Sequence, residues 1–491
     1  MLYELLCSVA ERQPDEPAVI WDDGRSMTYA ELLAAADMLA QRLFEHGVEA
    51  TDRVVLLLPN RPAFPVSFFA VARLGAVAVP INPAFQESEL GFYFADCRPR
   101  VLLTTAELSA SCTRLVADLS LDCDVHVSDA GGSAAAVASQ AARRQPESTG
   151  DVLIQYSSGS TGTPKTIRRT QKNLMLEASS FVSTTGIGRR DRILTVAPLF
   201  HAHGFGNCMM AAVGSGAAMV MLESFNRQQV IDRLRELDVT VFPGVPFMFR
   251  MLAATQGVDR GDFPELRLVF SAGAPLDEST ATAFPEKFGV PLRQLYGSTE
   301  TGAVAINLGD CGGETWASVG RPLDGVEVRV VDDNGSDCSA GLQGELVVRS
   351  PAMTAGYGES ARVDNQAFRE GCFWTGDVGY RDSDGRIFVT GRKTLFINVS
   401  GNKVDPTEIE SVLARHPHVG EAVVVGVTDA NRRELIKAVV VPDGECAEEE
   451  LREWCYAHMV DYKVPRIFEF RDEIPKSPLG KILRKYLAEE M

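Results

Sequence analysis

The sequence predicts an α/β protein with a large N-terminal domain and a small α+β C-terminal domain. At 491 residues the chain is too long for a single hydrophobic core. Helical and strand patterns alternate through its first half, which is typical of parallel sheets with crossover helices. After about Gly320 the pattern changes to short alternating strands, which indicates a small β-subdomain that closes the large domain.

The alternation is clearest near the N-terminus. Residues 28–47 have helical periodicity, with Thr28 as the N-cap, Glu31 three residues later and Gly47 as the stop. A buried strand (52–59), a second helix (64–76) and a second strand (76–83) follow. The same kinds of pattern recur in residues 192–198, 217–222, 228–239, 240–246 and 266–273.

Later segments define the rest of the architecture. Residues 325–350 predict two strands around a turn at Asn334-Gly335. Beyond Gly391, strand patterns at 419–427 and 435–442 lie between helical ones, enough for a small α+β domain. We therefore place the N-terminal domain at 1–391 and the C-terminal domain at 392–491. Residues 131–150 are rich in Ala, Ser and Gly and are interpreted as a surface connection.

Composition excludes several classes of function. The net charge of −18 argues against nucleic acid or an acidic membrane surface as a partner. Ten cysteines without C-x-x-C spacing indicate reduced thiols in a cytoplasmic protein, and the N-terminus has no signal-peptide pattern. Residues 193–222 lack Asp, Glu, Lys and Arg, but Pro198 and four glycines favour a buried strand, turn and helix over a membrane span.

One loop carries the first functional signal. The stretch YSSGSTGTPK (156–165) consists mostly of Ser, Thr and Gly and ends in Lys165. Exposed amides, hydroxyls and an ammonium group are suited to phosphate oxygens. Only two residues separate Gly159 from Gly162, and Pro164 precedes the lysine, so this is not a Walker loop. The alternative is a flexible linker.

Four more stretches bear on this choice. SAGAPL (271–276) follows a strand, and QLYGSTETG (294–302) places Tyr296, Ser298, Thr299 and Glu300 in one turn. FWTGDVGYRDSDGRIFVTGR (373–392) places Asp377 before a strand and Arg392 after it, and PKSPLGKILRKYL (475–487) contains Lys481. Together with the loop, these stretches resemble the AMP-forming adenylate-forming superfamily over essentially the whole chain. That superfamily includes acyl- and aryl-CoA synthetases, peptide-synthetase adenylation domains and firefly luciferase.

The resemblance implies an α/β fold in which the large domain contains stacked mixed and parallel sheets and the small domain is mobile. It also implies roles for individual residues. Thr299 would hold the α-phosphate, Glu300 would ligate Mg²⁺, and Lys481 would bridge the substrate carboxylate and the α-phosphate. Tyr296 would stack on adenine, and Asp377 and Arg392 would bind ribose. The remaining nucleotide contacts would be Ser157, Ser158, Gly159, Ser160, Thr161, Gly162, Thr163 and Lys165 for the phosphates, and Gly273, Ala274, Pro275, Gly297 and Ser298 around the base.

The resemblance also narrows the substrate. His201 stands where adenylation domains for amino acids have an amine-binding Asp, so an α-amino acid is not expected. His201 is interpreted as a gate or wall of the acid pocket rather than as a base. The other expected pocket positions carry no charge, which favours an apolar acid. They are Ala202, Phe205, Pro243, Phe270, Leu295, Ala303 and Val304.

The implied reaction joins an apolar carboxylic acid to AMP, with ATP and Mg²⁺, and then transfers the acyl group to coenzyme A. Two alternatives remain: an acyl-AMP ligase that loads the thiol of a separate acyl carrier protein, and a silent nucleotide-binding homologue. Rotation of the small domain would separate the half-reactions, with a hinge at 392–395 that includes Lys393. Leu395 departs from the family pattern, which has Asp or Lys at this position.

Overall fold

The computed structural model describes residues 1–21, 24–128, 150–157, 164–309, 313–358, 365–395, 397–399, 402–428, 434–476 and 482–488. Its helices alternate with strands in the N-terminal part, as the sequence predicts. In chain order they are α1 (Leu2–Arg12), α2 (Tyr29–Glu45), α3 (Ala63–Leu74), α4 (Glu87–Cys97), α5 (Ala106–Asp118), α6 (Gln171–Thr185), α7 (Ala202–Gly204), α8 (Ala211–Ser215), α9 (Arg227–Glu236), α10 (Pro246–Ala253), α11 (Glu278–Phe288), α12 (Pro406–Leu413), α13 (Glu448–His458) and α14 (Lys485–Ala488).

The strands are short, and most are buried. In chain order they are β1 (Pro17–Ile20), β2 (Ser26–Thr28), β3 (Arg53–Leu57), β4 (Val77–Pro80), β5 (Val101–Thr104), β6 (Asp124–Val127), β7 (Asp151–Ser157), β8 (Lys165–Thr170), β9 (Arg192–Thr195), β10 (Ala218–Met221), β11 (Val241–Gly244), β12 (Leu268–Ser271), β13 (Leu292–Ser298), β14 (Gly302–Ile306), β15 (Arg321–Pro322), β16 (Glu327–Val331), β17 (Gly344–Arg349), β18 (Phe368–Arg369), β19 (Cys372–Arg381), β20 (Ile387–Arg392), β21 (Ile397–Val399), β22 (Asn402–Val404), β23 (Val419–Thr428), β24 (Glu434–Pro442) and β25 (Ile467–Phe470).

The described residues divide into two compact units. The first comprises those within Met1–Ser158, Pro164–Val328 and Val348–Phe373, and the second those within Arg329–Val347 and Trp374–Met491. This division reflects packing within each unit. The boundary between Gly391 and Arg392, about which we expect the small domain to rotate, stays a prediction.

Two sheets build the first unit. One has the order β15-β14-β13-β12-β11-β9-β10-β1-β2 and is parallel from β13 to β1, with antiparallel strands at both edges. The other has the order β6-β5-β3-β4-β7-β8, and only β8 is antiparallel. Because carboxyl ends of parallel strands meet at one edge of a sheet, the loops after β11, β12 and β13 lie side by side.

Local sequence signals explain several boundaries. Thr28 caps α2 by accepting from the Glu31 amide at 3.2 Å, and the Glu31 carboxylate accepts from the Thr28 amide at 2.8 Å. This capping box was predicted, and so was the stop at Gly47, which has φ +79°. The turn at Asn334-Gly335 is also present, with the Gly335 amide donating to the Asp332 carbonyl.

Residues 193–222, which lack Asp, Glu, Lys and Arg, fold inside the first unit. It forms the buried strand β9, a turn, α7, a π-helix (Phe205–Met210), α8 and the buried strand β10. Close packing requires glycine at 204, since a Cβ there would lie 2.3 Å from the Pro198 carbonyl oxygen. No helix in the described part of the chain is long and apolar enough to cross a membrane.

The second unit has its own core. Strands β23, β24 and β25 form a three-stranded sheet, with β23 antiparallel to β24 and β25 parallel to it. One face packs against α12 and α13 through residues such as Ile409, Val424 and Leu451. Ile474 and Leu487 belong to a second cluster with Val423, Val425, Val427 and Val439, residues that alternate with the first set along β23 and β24.

Candidate active site

The Ser/Thr/Gly-rich loop that ends in Lys165 joins two antiparallel strands. Ser157 ends β7, Lys165 begins β8, and their Cα atoms are register partners. The loop is therefore followed by a strand, whereas a Walker loop is followed by a helix. Ser158, Gly159, Ser160, Thr161, Gly162 and Thr163 lie outside the described residues.

A second hairpin carries the QLYGSTETG stretch. The sequence predicted that Tyr296 and Ser298 share a turn with Glu300, and this was wrong. Both residues lie in β13, and only Thr299, Glu300 and Thr301 connect it to β14. Such tight pairing is possible because Gly302 adopts φ +71°, and a Cβ at Gly297 would lie 2.5 Å from the Gly302 carbonyl oxygen.

Tyr357 connects these two hairpins, and sequence reasoning did not find it. Its hydroxyl donates to Oε1 of Glu300 at 2.9 Å, and Nζ of Lys165 lies 4.5 Å from its ring centroid. The amide of Gly358 donates to the Thr166 carbonyl oxygen on β8, which fixes the backbone beside the tyrosine. One aromatic ring therefore contacts both the phosphate-loop lysine and the carboxylate expected to bind the metal. The only sequence signal was an aromatic residue between two glycines, Gly356 and Gly358.

A buried ion pair contacts both ends of the Thr299–Thr301 connection between β13 and β14. Nη2 of Arg169 lies 2.6 Å from the Glu177 carboxylate, and the two side chains are only 1% and 7% exposed. Nη1 of Arg169 donates to the Thr299 carbonyl oxygen at 3.2 Å, and the Glu177 carboxylate accepts from the Ala303 amide at 3.4 Å. The pair therefore holds both ends of the Thr299–Thr301 connection against β8 and α6. Sequence reasoning missed this pair as well, since neither residue belongs to a motif.

The expected adenine wall follows β12. Gly273, Ala274 and Pro275 are exposed and lie between that strand and α11, whose N-cap is Asp277. Gly273 has φ +84°, a left-handed conformation that glycine adopts without strain. Because β12 and β13 are parallel neighbours, this exposed backbone and Tyr296 emerge at the same edge of the sheet.

The expected acid-pocket residues come from six elements of the first unit and from the loop before α7. His201 precedes α7 and, like Ala202, is partly exposed. The others are buried and apolar: Phe205 on the π-helix, Pro243 on β11, Phe270 on β12, Leu295 on β13, and Ala303 and Val304 on β14. None of these positions carries a charge.

A second histidine lies beside them. Nε2 of His203 is 3.2 Å from the Gly244 carbonyl oxygen, and Nδ1 is 2.9 Å from the Asn207 amide nitrogen. Nε2 therefore carries the proton, and Nδ1 accepts. Burial lowers the pKa of His203 to about 4, although the Gly244 carbonyl opposes this shift. At neutral pH His203 is thus a neutral, oriented side chain.

Asp377 and Arg392 belong to the second unit. The sequence predicted that they flank one strand, which was wrong: Asp377 lies inside β19, Arg392 ends β20, and they are register partners. Gly376, the residue before Asp377, has φ +73°, so β19 takes up this left-handed conformation without strain. Nε of Arg392 is 3.5 Å from Oδ1 of Asp377.

The expected hinge lies directly after β20 in the chain. Lys393 and Leu395 lie in a single 3₁₀ turn, Lys393–Leu395. Nζ of Lys393 is 2.8 Å from Glu345 and 3.4 Å from Asp333. Burial opposes the shift, but hydrogen bonding and the charges of these carboxylates raise the pKa of Lys393. Leu395 is partly buried, and Lys481 lies outside the described residues.

Comparisons with known proteins agree with this architecture. The family model for AMP-binding enzymes matches residues 7–358, and the model for their C-terminal domain matches residues 408–481. A feruloyl-CoA synthase from Amycolatopsis sp is 33% identical over 94% of this chain and 93% of that protein. An oxalate–CoA ligase from Arabidopsis thaliana is 30% identical over 99% of this chain and 97% of that protein.

Solved structures give the same result for the fold. ATP-bound MatB from Rhodopseudomonas palustris has a TM-score of 0.90 at 27% identity, covering 99% of this chain and 98% of that one. An anthranilate CoA ligase in complex with anthranoyl-AMP has a TM-score of 0.86 at 28% identity, covering 99% and 96%. With family models matched in order along most of its length, this chain belongs to the family of AMP-binding enzymes.

Proposed function

We propose that this protein activates a carboxylic acid with ATP, forming an acyl-AMP and pyrophosphate, and then transfers the acyl group to coenzyme A. The observation that carries the proposal is the contact of Tyr357 with both Lys165 and Glu300. It brings a cation suited to phosphate next to a carboxylate suited to a hard metal ion. The naming of its relatives as CoA ligases supports the same reaction.

The donor set fits Mg²⁺. Glu300 is 9% exposed, and its Oε1 accepts from the Tyr357 hydroxyl, which orients the carboxylate. Magnesium prefers oxygen ligands and takes one or two carboxylates together with substrate phosphates. When bound, the ion would neutralise phosphate charge. Thr299 would contact the α-phosphate, and Lys165 and the loop from Ser157 to Thr163 would hold the β- and γ-phosphates.

The remaining nucleotide contacts are also proposals. Gly273, Ala274 and Pro275 offer exposed backbone for adenine, with Tyr296 as the stacking ring and Gly297 and Ser298 beside it. In the second unit, Asp377 would accept from the ribose hydroxyls, and Arg392 would contact the same sugar. Lys481 would stabilise the charge that develops when the acid attacks the α-phosphorus and pyrophosphate leaves.

We further propose that the acid has an apolar tail. The aromatic and aliphatic side chains of the expected pocket, including Phe205, Phe270 and Leu295, are buried and would take such a group. His201 would form the wall or gate of this pocket. The relatives include an oxalate–CoA ligase and a feruloyl-CoA synthase, so the preference for an apolar acid rests on the pocket residues of this chain.

For the second half-reaction, the thiol of coenzyme A attacks the acyl carbon, and AMP leaves. We propose that the domain 392–491 rotates about 392–395 between the two steps. The thiol of an acyl carrier protein is the alternative acceptor. We also propose a cytoplasmic location, based on the buried free thiols of Cys97, Cys112, Cys208 and Cys455.

The test is acid-dependent pyrophosphate exchange with a panel of aryl, alicyclic, medium-chain, dicarboxylic and amino acids. Mass spectrometry would then identify acyl-AMP and, after addition of coenzyme A or a phosphopantetheinylated carrier protein, the thioester. We expect apolar acids to support exchange and coenzyme A to be acylated. Exchange with dicarboxylic acids alone would contradict the apolar pocket, and thioester on the carrier alone would contradict the acceptor. No exchange with any acid would contradict the reaction itself.

A further inference from the structure

An assembled set of metal-ligating side chains lies far from the nucleotide site. His46 directly follows α2, and Asp124 and His126 lie on β6. Residues two apart on a strand point to the same face, so both side chains of β6 face one way. One ligand atom from each of the three residues lies within 4.8 Å of the other two.

The two histidine side chains of this set are in direct contact with each other. The rings of His46 and His126 meet edge to face, with centroids 4.5 Å apart. Nε2 of His126 is buried and has no hydrogen-bond partner among the described residues. An imidazole nitrogen in that position is suited to bind a cation. Two ligand atoms on one Zn²⁺ lie at most about 4 Å apart. Small rotations of the exposed side chains of His46 and Asp124 would bring the three ligand atoms within that distance.

We propose that His46, Asp124 and His126 form a binding site for a late first-row divalent cation such as Zn²⁺. Two imidazoles and one carboxylate favour zinc, nickel, cobalt or copper over magnesium. The site differs in this respect from Glu300, whose oxygen ligand suits magnesium. It also lies at the opposite edge of the six-stranded sheet from β8, roughly 24 Å away at normal strand spacing.

Arg100 provides the sharpest test of the geometry. Its guanidinium lies 3.6 Å from Asp124 and 3.8 Å from Asp122, and it donates to the His46 carbonyl oxygen at 3.4 Å. This cation repels a metal ion and competes for the Asp124 carboxylate. Removing its charge therefore strengthens metal binding, whereas removing a ligand weakens it. A surface that bound metal only through scattered side chains would not respond in opposite directions to these changes.

A bound ion would connect the end of α2 to an edge strand. Among the described residues β6 pairs only with β5, so its other edge has no strand partner in that part of the chain. Cross-linking it to His46 stabilises the folded state, because the unfolded chain does not hold the three ligands together. The effect is measurable as a rise in the melting temperature on addition of metal, in the absence of ATP and acid.

The experiment titrates the metal-stripped full-length protein with Co²⁺ and Zn²⁺, followed by equilibrium dialysis, the visible spectrum of Co²⁺ and thermal melting. We expect one ion per chain, without the sulfur-to-cobalt absorption that cysteine ligands would produce. His46→Ala and His126→Ala should each weaken binding by at least about tenfold. Arg100→Gln should strengthen it several-fold, and His458→Ala, which removes an exposed histidine elsewhere, should leave it unchanged.

Either of two results would overturn the site. One is unchanged affinity in both His46→Ala and His126→Ala, which would place any bound ion elsewhere. The other is absence of binding by wild type and Arg100→Gln at millimolar metal. Pyrophosphate exchange in magnesium is a separate readout, so loss of this site does not bear on the proposed reaction.

Discussion

The hydroxyl of Tyr357 donates to the Glu300 carboxylate at 2.9 Å, and the same ring lies beneath the Lys165 ammonium group. This relationship joins three parts of the chain that are far apart in sequence. Residues that orient a metal ligand typically affect metal affinity by about 10- to 100-fold when they are changed. Tyr357 is thus expected to act through Glu300 and Lys165 as a positioning residue.

Tyr357→Phe should raise the Mg²⁺ concentration needed for half-maximal pyrophosphate exchange by about tenfold, because Glu300 loses the donor that orients it. The KM for ATP should change less, since the ring still contacts Lys165. Tyr357→Leu should raise that KM as well, by the few-fold that a cation–π contact of about 1 kcal/mol represents. Mg²⁺ and ATP titrations of the exchange rate measure both effects.

Tyr3 provides a matched control. Its hydroxyl donates to Asp37 at 2.5 Å, and the Arg73 guanidinium lies 5.5 Å from its ring centroid. Tyr3→Phe should therefore perturb stability in a similar way but leave the Mg²⁺ dependence unchanged. If Tyr3→Phe and Tyr357→Phe shift the Mg²⁺ requirement equally, the effect is a general loss of stability and the positioning role is wrong.

The sequence predicted contacts between residues close together in the chain but not contacts between residues far apart in it. The Thr28 capping box was predictable because its partners are three residues apart. The contact of Tyr357 with Lys165 and Glu300 was not, since long-range packing leaves no periodic signal. The extents of β13 and β19 were misjudged for another reason: Gly297 and Gly376 are typical of turns, but here they allow close pairing and a bend within strands.

Arg169→Met should lower the melting temperature strongly, because it leaves the buried Glu177 carboxylate without its partner. Breaking a buried pair in this way typically costs about 3–5 kcal/mol. The double variant Arg169→Met/Glu177→Leu should recover part of the loss. As a control, Arg114→Met removes a pair exposed on both sides and should change stability by less than about 1 kcal/mol. Equal melting temperatures for Arg169→Met and Arg114→Met would contradict this account.

His203 should make stability depend on pH. Its pKa is about 4 in the folded protein and 6.5 in the reference state, so the unfolded chain binds more protons between these values. The contribution of His203 to the free energy of unfolding is therefore fully present above about pH 6.5. It is lost as the pH decreases toward 4, which lowers stability by up to about 3 kcal/mol. Melting curves of wild type and His203→Gln across this range isolate the contribution. The variant should be less stable at pH 7 but show a shallower decline, and parallel curves would exclude His203 as the source.

Lys481→Ala tests the first half-reaction. Loss of one charge contact in the transition state costs about a hundredfold or more in rate. We expect that loss in acyl-AMP formation, while thioester formation from preformed acyl-AMP is spared because the rotated small domain no longer places Lys481 at the site. Single-turnover measurements with ATP and acid, and separately with acyl-AMP and coenzyme A, distinguish the steps. Equal loss in both would remove this role from Lys481.

Leu395 tests the hinge itself. It ends the 3₁₀ turn Lys393–Leu395, where the backbone would have to change conformation for the small domain to rotate. Leu395→Pro fixes φ near about −65° and should trap one arrangement, so acyl-AMP formation persists and thioester formation is lost. Leu395→Asp, the matched control, restores the residue type usual in the family. It should change the ratio of the two rates by no more than about tenfold, the effect of a conformational bias of about 1.4 kcal/mol.

Pyrophosphate exchange and thioester production are measured side by side for each variant. Thioester production at the wild-type rate by Leu395→Pro would mean that the hinge lies elsewhere or that this enzyme completes its reaction without domain rotation.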